Sequence, residues 1–143
     1  MSEQDNIKAA RATFDAWNAG DLSLIDRYRA EGFMTDQPGA PGPMNGQQHR
    51  MFLQNFLTAF PGSKMEVWLT IAQGDYVVVN WKISGVHTGP LHTPSGGIVP
   101  PTGKTIALAG SDTAHVKNGK VTHIWGHWDL ASLLGQLGLL PPM

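Results

Sequence analysis

The hydrophobic period of the chain changes once, near Gly62, and that change separates helices from strands. Ile7, Ala10, Phe14 and Trp17 recur at helical spacing across Asp5–Asn18, and Gly20 ends the run. Asp21 is placed to cap a second, short helix with Leu22, Ile25 and Tyr28 on its apolar side. Gly32 to Asp36 predicts a short strand. The stretch QPGAPGPMNG, Gln37 to Gly46, is too rich in Pro and Gly for either element and is expected to border a site. Gln47 to Phe60 predicts a third helix, apolar at Met51, Phe52, Phe56 and Leu57 and stopped by Pro61-Gly62. From there the period is two. Met65, Val67, Leu69 and Ile71 alternate with mostly polar residues, Gly74-Asp75 turns the chain, and Val77, Val79, Trp81 and Ile83 form the next apolar row. His87 to Gly103 is an irregular crossing. Lys104 to Lys117 predicts a long strand, Asn118-Gly119 a two-residue type I′ hairpin turn, and Lys120 to Trp128 the returning strand. Leu130 to Leu137 closes as a helix. Three N-terminal helices followed by a long antiparallel sheet predict an α+β fold, with the helices packed on one face of a curved sheet.

Composition narrows the function. The chain has 143 residues, the size of one ordinary domain, so residues 1–143 are read as a single unit. Ten Lys+Arg stand against eleven Asp+Glu, and no basic stripe occurs, so neither nucleic acid nor an anionic membrane is an expected partner. Cysteine is absent, which excludes disulfides, thiolate metal sites and cysteine nucleophiles. No signal core and no apolar run of ~18 residues is present, and a soluble, cytoplasmic protein is expected.

The candidate chemistry lies at the end of the chain. In HIWGHWDLASLLGQLG, His123, Trp125, His127 and Asp129 fall at alternate positions and would stand in one row. If the Asn118-Gly119 turn sets the register, Ala114 lies opposite His123, Asp112 opposite Trp125 and Gly110 opposite His127. Asp112 would then share the face of the polar row, with the small Gly110 and Ala114 leaving space above it. A shared zinc is disfavoured, because His123 and His127 would be ~13 Å apart along a strand. No Gly-x-Ser-x-Gly elbow supports a nucleophilic triad. General acid–base work fits better: a carboxylate beside tryptophan and leucine has its charged form disfavoured and its pKa raised toward neutrality. Capping of the last helix competes with that role for Asp129, and hydrogen-bonded rim positions compete with it for the two histidines.

Four stretches, AWNAGDLSLIDRYRAEGFM, AFPGSKMEV, GVHTGPLHTPSGGIVPPTGKTI and NGKVTHIWGHWDLASLLGQLG, together resemble the SnoaL-like polyketide cyclase family of the nuclear transport factor 2-like superfamily. The resemblance implies a cone-shaped α+β barrel, with a strongly bent, mostly antiparallel sheet wrapped by helices around an apolar pocket that needs no metal or cofactor. It implies acid–base chemistry on a polycyclic aromatic polyketide, namely intramolecular aldol cyclisation with Asp129 as acid/base. The ring-closing members carry a histidine where this chain has Asp112, and His127 has no counterpart in them. The expected catalytic set is therefore Asp129, His127 and Asp112, with Trp125, His123, Trp81, Phe33 and Phe56 contacting substrate. A cofactor-independent hydroxylase and a non-catalytic binding or dimerisation module are the alternatives. A homodimer or homotetramer is expected, with Thr113, His115, Thr122 and Ile124 on the exposed sheet face.

Overall fold

The computed structural model describes residues 2–140. Helix α1, Glu3–Ala19, begins earlier than its apolar spacing suggests because Ser2 and Asp5 form a capping box. The Ser2 hydroxyl accepts from the Asp5 amide at 3.1 Å, and the Asp5 carboxylate accepts from the Ser2 amide at 3.2 Å. Gly20, left-handed at φ 69°, ends the helix. Asp21 caps a 3₁₀ turn over Leu22–Tyr28.

Strand β1, Arg29–Asp36, starts three residues before the expected Gly32. Gly32 itself sits at φ 81°, and the pairing of β1 slips between Arg29 and Met34. The Pro/Gly stretch contains only the two-residue β2, Met44–Asn45, before α2, Gly46–Ala59. The sheet strands β3, Lys64–Gln73, and β4, Tyr76–Val86, follow the two predicted apolar rows. The crossing holds a small hairpin of β5, Leu91–His92, and β6, Ile98–Val99. Then come β7, Thr105–Lys117, β8, Lys120–Trp128, and α3, Leu130–Gln136.

The main sheet runs β2-β1-β8-β7-β4-β3 and is antiparallel except where β1 lies parallel to β8. Its inner face carries Val77, Val79, Ala114, Val116, Val121 and Ile124, packed under Ala9, Ala10 and Phe14 of α1. The bent sheet and N-terminal helices are the predicted α+β architecture.

One local feature decides which side chains reach the interior. The turn forms as predicted, with Lys117 opposite Lys120 and positive φ at Asn118 and Gly119. Val116 then pairs with Val121, but His115 pairs with His123, so Thr122 is an extra residue in β8. Its hydroxyl donates to the His115 carbonyl at 3.2 Å and also meets His115 Nδ1, which holds this β-bulge in place. A slip of one residue sends every following side chain to the opposite face. Asp112 consequently lies opposite Gly126, not Trp125, and Gly110 opposite Trp128, not His127. His123, Trp125 and His127 go to the outer face together with Thr113 and His115, while Ile124 turns inward at 2 % exposure. Ile124 therefore does not belong to the exposed sheet face where it was expected.

Candidate active site

An apolar cavity lies between the inner face of the sheet, α1 and α2. Among the described residues Asp112 of β7 is its one carboxylate, and Thr13, Gln37, His49 and the indoles of Trp17, Trp81 and Trp128 are its other polar groups. Phe14, Phe52, Phe56 and Phe60 supply much of the remaining wall.

Two glycines create this arrangement. A β-carbon on Gly110 would come within 2.2 Å of the Trp81 ring, so only glycine lets that indole lie across β7. The indole Nε1–H then donates to Asp112 Oδ1 at 3.1 Å. A β-carbon on Gly126 would come within 2.2 Å of Gln37 Oε1. Gln37 keeps its place by donating to the Thr35 hydroxyl at 3.1 Å, while its Oε1 accepts from Trp128 Nε1 at 3.3 Å.

Burial pushes the Asp112 carboxyl up to about 6 from its ordinary 3.8; the Trp81 hydrogen bond and the Arg29 charge oppose that rise without cancelling it. Arg29 stands behind the cavity wall. Its guanidinium lies 3.9 Å from the centre of the Phe33 ring, donates to Thr13 Oγ1 at 2.8 Å, and contacts His49 Nδ1 at 3.2 Å. Arginine can only donate, so His49 Nδ1 must accept and the imidazole proton resides on Nε2. Burial, and then the Arg29 charge, hold the His49 pKa down to about 3. His49 is thus a neutral N–H donor throughout the range where Asp112 titrates. A base that titrates near neutrality and a neutral donor lining the same cavity are a set suited to proton transfer at carbon next to a carbonyl.

The structure brings Asp112, Trp81 and Phe56 to the cavity as expected. Phe33 is 3 % exposed and packs beneath Arg29 behind that wall. The predicted convergence of Asp112 with His123, Trp125, His127 and Asp129 does not form. His123 and Trp125 stack at 4.1 Å on the outer face, where His123 Nε2 pairs with Asp36 at 2.7 Å. His127 is exposed on the same face, for the reason given by the bulge at Thr122. Asp129 is exposed past the end of β8, and its carboxylate caps α3 by accepting from the Ser132 amide at 2.9 Å. Arg29, His49 and Thr13 were not expected at a site, whereas Gln37 opens the Pro/Gly stretch that was expected to border one. Arg29 stands among other charged residues in DRYRAEG and His49 in the polar run QQHR, and nothing in either stretch reveals that they meet. Among the described residues no cluster of three or more His, Cys, Asp or Glu side chains is placed to hold a metal ion.

The helices and bent sheet around an apolar cavity define a nuclear transport factor 2-like fold. The chain belongs to the SnoaL-like polyketide cyclase family, whose sequence profile matches residues 7–137. Among solved structures it is similar to AclR of Streptomyces galilaeus, a candidate hydroxylase, with 23 % identity, a TM-score of 0.82, and 99 % of this chain and 90 % of that one covered. A candidate polyketide cyclase from Bacillus cereus ATCC 10987 shares 25 % identity at a TM-score of 0.78, covering 99 % and 87 %. IdmH of Streptomyces antibioticus, a candidate polyketide cyclase, shares 23 % at 0.76, covering 93 % and 98 %. No curated protein matches the chain.

Proposed function

We propose that this protein catalyses acid–base chemistry on an aromatic polyketide ketone, with Asp112 as the proton shuttle. The observation that carries the reading is the Asp112 carboxyl held at about 6 inside an apolar cavity. Above that pH its carboxylate removes a proton from a carbon next to a carbonyl, and the enolate forms. His49 Nε2–H donates to the enolate oxygen as charge develops there. In a cyclisation, the enolate carbon attacks a second carbonyl of the same molecule, one carbon–carbon bond forms, and the new alkoxide takes the proton back from Asp112. Atoms balance without any co-reactant. The apolar walls orient the rings and exclude water.

The likeness to AclR supports a second use of the same base, deprotonation of a reduced quinol that then reacts with oxygen. A pure binding module would have no use for a carboxylate kept at a cost in so apolar a site. Trp68, Ile71 and Tyr76 stand exposed on strands β3 and β4 and support the expected homodimer or homotetramer, which sedimentation tests. The catalytic test is incubation of the protein with hydroxyanthraquinones that carry an acyl side chain with an exchangeable C–H next to its carbonyl, in deuterated water, with and without oxygen. Deuterium entering the carbon next to the carbonyl without oxygen supports enolate formation. Oxygen-dependent product supports the hydroxylase, and the absence of both results overturns the reading.

A further inference from the structure

The cavity around Asp112 encloses about 80 Å³, close to half of the ~150 Å³ known to admit one benzene ring. A fused-ring ketone does not fit there. Beside it lies a much larger open groove of about 940 Å³. The two spaces share a partition: Phe52, Phe56, Trp128 and Leu133 line both. Phe56 stands edge-on to Phe52 at 5.1 Å and to Trp128 at 6.0 Å. The Trp128 indole donates to Gln37 through a 3.3 Å hydrogen bond, a long one.

The rims of the groove are fixed, whereas its partition is made of side chains. Pro38 and Pro41 stiffen one rim. On the other, Asn55 of α2 holds the β5–β6 hairpin through two hydrogen bonds to the His92 backbone, both 2.9 Å. Gly89 lies so close to the Thr58 carbonyl that a β-carbon would come within 1.9 Å of it. Met51 lines the groove and is 68 % exposed, an adaptable apolar surface.

We propose that cavity and groove form one bipartite site for a fused-ring aromatic ketone, with Phe56 and Trp128 as the gate between them. The inference rests on the acid–base reading above and specifies where the rest of the substrate lies. The reacting carbonyl end passes the gate to Asp112, and the non-reacting rings lie flat in the groove against Met51. Continuity of the two walls favours this occupant over a second protein chain.

The test uses two ligands followed by calorimetry and tryptophan fluorescence: 2-hydroxyacetophenone, with one ring, and 1,8-dihydroxyanthraquinone, with three. The three-ring ligand is expected to bind about tenfold tighter or better. Met51→Glu is expected to weaken it by about tenfold and leave the one-ring ligand unchanged. Phe56→Ala is expected to speed association of the three-ring ligand in stopped flow. Equal affinities for the two ligands, or an unchanged three-ring affinity in Met51→Glu, overturn the proposal. So does a Met51→Glu variant that changes the sedimenting mass and not ligand affinity, because the groove is then a subunit interface. Asp112→Asn separates this inference from the reading it rests on. It should still bind the three-ring ligand, and wild-type turnover in that variant would remove the acid–base role without touching the groove.

Discussion

Replacing Asp112 with asparagine should make the protein more stable and less active at once. The Asp112 carboxyl titrates at about 6 in the folded chain against an ordinary 3.8. At ~1.36 kcal/mol per pKa unit, that gap is ~3 kcal/mol of free energy by which folding disfavours the ionised form. The folded pKa lies above the unfolded one, so the folded state holds the proton longer. Stability therefore falls as pH rises from 3.8 to about 6, and the whole cost persists above that range. Asparagine has the shape of the protonated acid, keeps an oxygen to accept from Trp81 Nε1, and carries no charge at any pH. Urea unfolding of Asp112→Asn should show a gain of up to ~3 kcal/mol at pH 8 and almost none at pH 4. Turnover should fall by ~10²–10⁴-fold, the usual contribution of a positioned acid–base group. In the wild type, kcat/KM should rise with pH through about 6. A stability gain that is the same at both pH values, or no gain, would show that the carboxylate is not penalised by its surroundings. Full turnover in the variant would remove it from the chemistry.

Trp81→Phe removes the donor that lowers the Asp112 pKa, so the pH–rate limb should move upward, read from kcat/KM between pH 5 and 8. His49 behaves oppositely to Asp112: its folded pKa of about 3 lies below the ordinary 6.5, so stability is complete above 6.5 and declines as pH falls toward 3. His49→Gln should flatten that acid limb in thermal melts and reduce turnover by weakening the oxyanion contact. Asp129→Ala should cost ~1 kcal/mol of stability through the lost α3 cap and Asp129→Asn almost nothing, with turnover retained in both. Arg29→Met should slow turnover and raise the Asp112 pKa, because the positive charge that helps ionise the carboxyl is gone; a shifted kinetic pKa distinguishes this from simple loss of packing.

The period change near Gly62 and the Asn118-Gly119 turn made the architecture legible, because both are local signals with a direct geometric meaning. The site was legible only in part. Asp112 and Trp81 follow from alternation on strands whose pairing is regular, β4 against β7. The polar row of β8 failed on one residue. Nothing in the run KVTHIW marks Thr122 as an extra member, since its bulge is held by a contact to His115 on the neighbouring strand. Arg29 and His49 were missed because 20 positions of chain separate them and only the closed fold brings guanidinium to imidazole. The glycines were the more useful signal: Gly110 and Gly126 interrupt otherwise ordinary strands, and each marks a place where a cavity side chain crosses the backbone.

The bulge at Thr122 also makes the interior of this protein sensitive to register rather than to composition. Ile124, Gly126 and Trp128 face inward only because one residue is accommodated without a partner between Val121 and His123. Straightening the bulge with Thr122 retained, so that Thr122 pairs with His115, would change no amino acid, yet it would offer the cavity His123, Trp125 and His127 and turn the present lining to the outside, whereas deleting Thr122 would remove the extra residue and keep that lining inward. Loss of one bulge is thus equivalent, for this strand, to exchanging its entire chemical repertoire. The last strand carries two alternative linings in one stretch of sequence, an apolar one in use and an ionisable, aromatic one held in reserve on the reverse side.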